Sequence, residues 1–72
     1  MKKIYYTVDY RNTENGYRSL SIYTIDNNQP KLWFELDGLM DDEGFNMYSD
    51  EEEIQLWLDN NGFEDEYEME QL

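Results

Sequence analysis

A chain of 72 residues makes one domain at most, and it buries only about 60% of the surface its unfolded form exposes, so its core must be small. It has no cysteine and no histidine, which excludes disulfides, thiolate zinc sites, a cysteine nucleophile and the usual neutral-pH acid–base residue. The net charge of −13 is lopsided: residues 1–31 hold all five bases beside three acids (+2), whereas residues 32–72 hold fifteen acids and no base (−15), a balance that repels nucleic acid and anionic lipid and attracts basic surfaces.

The opening Met-Lys-Lys-Ile-Tyr-Tyr lacks the apolar run and cleavage site of a signal peptide, and no stretch approaches the roughly 20 apolar residues a bilayer crossing needs. A cytoplasmic protein is expected, in the host cytoplasm if phage-encoded. Residues 4–10 alternate as a strand, with Ile4, Tyr6, Val8 and Tyr10 on one face and Tyr5, Thr7 and Asp9 on the other. Asn15-Gly16 ends the next six residues with a strong turn signal, since both positions tolerate positive φ. A second strand spans residues 17–25, with Leu20, Ile22 and Thr24 opposite Ser19, Ser21, Tyr23 and Ile25; which face is core stays open. Asp26 to Pro30 is a second turn. Residues 31–37 form a third strand, with Leu32, Phe34 and Leu36 on one side and Trp33, Glu35 and Asp37 on the other. Three strands joined by polar turns predict an antiparallel meander.

Residues 38–48 read as a loop in which Leu39-Met40 and Phe45 to Tyr48 plug the sheet edge while Asp41, Asp42 and Glu43 stay wet. An EF-hand needs acids at positions 1, 3 and 5 with glycine at 6; Gly44 at position 6 puts Leu39 at 1, and a start at Asp41 puts Phe45 at 5. Neither register works, so no dedicated metal site is expected.

The best-specified stretch runs from Ser49 to Phe63. Ser49 is an N-cap, Glu52 completes a capping box three residues on, and Asp50 and Glu51 favour the positive end of the helix dipole. Ile54, Trp57 and Leu58 form one apolar stripe at i, i+3, i+4, with Glu51, Glu52, Gln55 and Asp59 on the polar face. Gly62 supplies a left-handed C′ residue and places Phe63 at C″ against Leu58. Trp57 is expected in the core rather than as a binding hot spot.

The tail follows period 2, so an extended chain would align Glu64, Glu66, Glu68 and Glu70 on one side and Phe63, Tyr67 and Met69 beside Asp65 on the other. A short helix with Phe63 and Tyr67 at i, i+4 and a frayed acidic terminus are the competing readings. The expected fold is thus α+β: a three-stranded antiparallel β-meander packed with one C-terminal amphipathic helix, with a short fourth edge strand as an option.

For function, standard nucleophile–base pairs cannot be assembled without histidine or cysteine, and so small a fold offers little volume for a pocket that separates carboxylate pKa values. No enzyme activity and no cofactor are expected. A charge magnitude of roughly 2–8 already keeps a small domain soluble, and the excess costs stability through self-repulsion. Carboxylates at i, i+2 on a strand lie about 6.5–7 Å apart, close to the spacing of successive phosphates on a nucleic-acid strand whose axial rise is about 3.4 Å. The partner expected is the basic surface of a nucleic-acid-binding protein, blocked by a DNA mimic, with Asp41, Asp42, Glu43, Asp50, Glu51, Glu52, Glu53, Asp59, Glu64, Glu66, Glu68 and Glu70 as contacts and Tyr48 and Tyr67 as anchors. In size and composition the chain resembles the compact acidic inhibitors that phages and other mobile elements direct against host nucleases, restriction or CRISPR systems. The rival is a non-enzymatic interaction module, a homodimer through sheet edges or through an aromatic sheet face holding Tyr5, Tyr23 and Trp33.

Overall fold

The computed structural model describes residues 1–10 and 17–72. Strand β1 (Lys2–Asp9) lies between β2 (Tyr17–Asp26) and β4 (Tyr67–Gln71), and β3 (Gln29–Leu39) borders β2, giving the order β3-β2-β1-β4. The first three strands are antiparallel neighbours and the fourth pairs parallel to β1, so the fold is α+β with a mixed sheet and one helix, α1 (Asp50–Asn60). The Asn15-Gly16 turn expected between β1 and β2 lies outside the described residues. Between β2 and β3, Asn27 and Asn28 take φ values of 53° and 63°, the two left-handed positions of a type I′ hairpin turn that matches strand twist. Pro30 is tolerated because β3 is an edge strand.

The tail is therefore extended, over a shorter span than its alternation suggests. Met69 pairs with Ile4 on the core side, and Glu68 and Glu70 pair with Lys3 and Tyr5 on the other side. A parallel neighbour cannot follow by a tight turn. The chain crosses over between β3 and β4, and α1 packs on the core face of the sheet during that crossing.

The core is Ile4, Tyr6, Leu20 and Ile22 from the sheet with Ile54 and Leu58 from the helix. The open question of β2 is thereby answered: Arg18, Leu20 and Ile22 face inward. For β3 the expected facing is overturned in its first half. Ile22 pairs with Phe34 but Tyr23 pairs with Leu32, so Trp33 is an extra residue, a β-bulge. The bulge turns Trp33 to the core beside Phe34 and leaves Leu32 49% exposed on the outer face. Trp33 stands edge-on to Phe34, Trp57 and Phe63, with centroids 4.9, 6.5 and 5.1 Å away, and lies 6.0 Å from Tyr67. Phe34 stacks on Trp57 at 3.6 Å. This aromatic group ties one edge strand to the other beneath the C-terminal end of α1.

The edge-plug expected of residues 38–48 is also overturned. Gly38 and Leu39 belong to β3, and Phe45 and Met47 are 65% and 56% exposed. Residues 41–45 satisfy their polar groups locally instead: Asp41 Oδ1 accepts from the backbone N–H groups of Glu43 and Phe45, both at 2.9 Å, and the Asp41 N–H donates to the Phe45 carbonyl at 2.8 Å. A loop closed on itself has no hydrogen-bonding reason to dock on the sheet.

Candidate acidic binding surface

The acidic half is organised around a buried base. Arg18 is wholly buried, and its Nε donates to Asp50 Oδ1 at 2.7 Å while an Nη donates to the Tyr48 carbonyl at 3.0 Å. Its guanidinium lies over Gly38, where a Cβ atom would stand 2.5 Å from one Nη and 2.6 Å from Cζ. Glycine is required there for close approach. One side chain thus pins the helix start and the residue before its cap onto the sheet. Arg18 was not recognisable as buried from charge counting, although its i, i+2, i+4 relation to Leu20 and Ile22 carried the signal.

From that anchor the helix presents its acids. Ser49 Oγ accepts from the Glu52 N–H at 3.2 Å, and Asp50, Glu51, Glu52 and Glu53 fill the first turn at the positive end of the dipole. Asp50 is committed inward, Glu53 is half-buried, and Glu51 and Glu52 are exposed. The Tyr6 phenol sits beneath this turn, and burial pushes its pKa up, with Glu51 and Asp50 adding to the shift. At the other end the Phe63 N–H donates to the Leu58 carbonyl at 3.0 Å and Gly62 has φ +82°, the expected Schellman stop.

The tail carboxylates are placed differently. Lys2 bonds Asp65 at 2.8 Å and Lys3 bonds Glu70 at 3.2 Å, fastening the edge strand to β1. Those hydrogen bonds, with the attraction of the same carboxylates, raise both lysine pKa values. Lys3 Nζ also lies 5.5 Å from the centre of the Tyr5 ring. Glu64, Glu66 and Glu68 are exposed. Because Glu68 and Glu70 share the outer face with Lys3 and Tyr5 while α1 covers the core face, the β4 and helix acids lie on opposite sides of the sheet. Asp41, Asp42, Glu43, Glu51, Glu52 and Asp59 belong to the loop and helix, and all six are exposed.

Of the two expected anchors, Tyr48 is 42% exposed, whereas Tyr67 is half-buried and its ring packs against Trp33 and the core. The outer sheet face has Tyr5 paired with Tyr23 and Tyr23 with Leu32, so Leu32 takes the place expected for Trp33 there. On the outward side of α1, Tyr48, Glu52, Gln55, Leu56 and Asp59 line a shallow open cleft of about 230 Å³. Leu56, 42% exposed on an otherwise polar helix face, escaped the sequence reading because the inward stripe was already complete without it. Among the described residues, no group of three or more acids, histidines or cysteines is set to hold a metal ion. No protein-family model matches the chain, and neither a curated protein nor a solved structure matches it.

Proposed function

We propose that the chain binds the basic, nucleic-acid-binding surface of another protein and blocks it as a DNA mimic, in the manner of the small acidic inhibitors of host nucleases and defence proteins. One observation carries this reading: of its twelve candidate contact carboxylates, all but Asp50 and Glu53 are exposed, and residues 32–72 hold no lysine or arginine. The helix side is the favoured face, because Glu51, Glu52 and Asp59 are exposed there, while Glu70 on the opposite side is held by Lys3. The chain measures 39 × 24 × 16 Å. Its long axis matches roughly eleven steps of a duplex rising about 3.4 Å per step.

The test is capture followed by competition. Immobilised protein is exposed to lysate of a bacterial host at low salt and washed with a DNA duplex. The expected result is retention of nucleic-acid-binding proteins that the duplex releases, and their loss when Glu51, Glu52 and Asp59 are replaced by lysine. Retained proteins indifferent to both DNA and charge reversal would sink the reading.

A second reading has its own observation. Tyr5, Tyr23, Leu32 and Ile25 lie on the face of the sheet that α1 leaves uncovered, and Ile25 and Leu32 are 46% and 49% exposed. A homodimer across this face is the non-inhibitory alternative. Sedimentation at several salt concentrations separates the two: a dimer strengthened by salt favours the module, a monomer throughout favours the mimic.

A further inference from the structure

We propose that the cleft between Tyr48 and the outward face of α1 receives one arginine side chain of a basic partner, a specific anchor within the broader acidic surface. The inference rests on the proposed blocking role and gives it a point of contact. Residues 52, 55, 56 and 59 follow i, i+3, i+4, i+7 and so share one face of the helix, opposite the stripe that Ile54, Trp57 and Leu58 bury. Leu56 and Tyr48 each remain 42% exposed and give the cleft an apolar lining, which it shares with the carboxylates of Glu52 and Asp59. A volume of about 230 Å³ falls below the roughly 300–1,000 Å³ of small-molecule sites, which suits a single side chain rather than a metabolite.

Charge and shape then select the occupant. A chain of charge −13 with two carboxylates lining the cleft disfavours an anionic group, and the apolar lining from Leu56 and Tyr48 disfavours a bare hydrated ion. Arginine answers both: its aliphatic stem covers Leu56, its planar guanidinium lies on the Tyr48 ring, and its forked donors reach the carboxylates. One acceptor is already oriented, since Gln55 Nε2 donates to Asp59 Oδ1 at 2.9 Å and leaves Oδ2 for the partner. The Tyr48 backbone is anchored as well, because the Arg18 guanidinium donates to its carbonyl at 3.0 Å.

The experiment is a nuclear magnetic resonance titration of the intact protein with the N-acetyl methylamides of arginine, lysine and norleucine. The arginine compound is expected to saturate, with amide shifts centred on Tyr48, Gln55 and Leu56, and to bind roughly tenfold more tightly than norleucine and several-fold more tightly than lysine. Leu56→Gln, an exposed change to a good helix former, is expected to abolish saturation while leaving the rest of the spectrum in place. Equal binding of arginine and lysine, shifts spread without saturation over all exposed carboxylates, or equal binding of norleucine would each overturn the proposal. Failure of lysate capture with a positive arginine titration removes the blocking role and keeps the cleft; capture undiminished by Leu56→Gln removes the cleft and keeps the blocking role.

Discussion

Arg18, wholly buried, and Gly38, which a side chain would force into the guanidinium, form a single device. The pair lets a strand hold the first turn of a helix that carries four acids. Removing the guanidinium strands Asp50, which is 23% exposed, so Arg18→Met is expected to cost about 2–4 kcal/mol, toward the lower end because solvent still reaches the carboxylate. Gly38→Ala is expected to cost about 1–3 kcal/mol in the parent by displacing the pinned tip of Arg18. In an Arg18→Met background the tip atoms are gone, and the same change is expected to cost less than about 0.5 kcal/mol. Urea midpoints of the two single variants and the double variant measure that coupling, which is expected at about 0.5 kcal/mol or more. Additive losses would show that Gly38 serves something other than the guanidinium.

At the scale of elements, helix capping was legible at Ser49, Gly62 and Phe63, which act through local backbone geometry that depends on a few neighbours; of the capping box, the Ser49 half is found. Alternation in β1 was legible for the same reason. In β3 it misled, because period 2 assumes an unbroken ladder and one extra residue exchanges the faces of everything before it. The clue was weak: Trp33-Phe34 is a pair of large aromatics in which simple alternation spends one on solvent. The parallel placement of β4 was illegible, since it depends on a crossover rather than on its own residues. A direct check of the bulge compares two variants. Leu32→Ser lies on the outer face and is expected to change stability by no more than about 0.5 kcal/mol, whereas Trp33→Ser removes the centre of the aromatic group and is expected to cost about 3 kcal/mol or to unfold the protein. Simple alternation demands the reverse order, and thermal melts of the pair distinguish them.

The candidate site was legible in kind rather than in place. Charge counting gave a strongly acidic half, but the split of its carboxylates between two sides of a sheet follows from topology, and Leu56 acquires meaning only when Tyr48 is brought beside it. For the whole molecule, the same excess charge has two consequences of opposite sign. Within the chain, exposed carboxylates repel one another, and the ion pairs Lys2–Asp65 and Lys3–Glu70 are themselves exposed and screened. Between chains, the carboxylates attract a basic partner at long range. Salt weakens both effects. Raising sodium chloride from about 20 to 300 mM shortens the Debye length from roughly 20 Å to below 10 Å. Relief of self-repulsion worth about 1 kcal/mol would then raise the melting temperature by roughly 4–8 °C in a domain of this size. Over the same range the association rate with a basic partner is expected to fall by roughly tenfold or more. Calorimetry and stopped-flow on one preparation measure the two together. A melting temperature that falls with salt would mean that internal ion pairs outweigh repulsion, and the surface charge would then be part of the fold instead of being held ready for a partner.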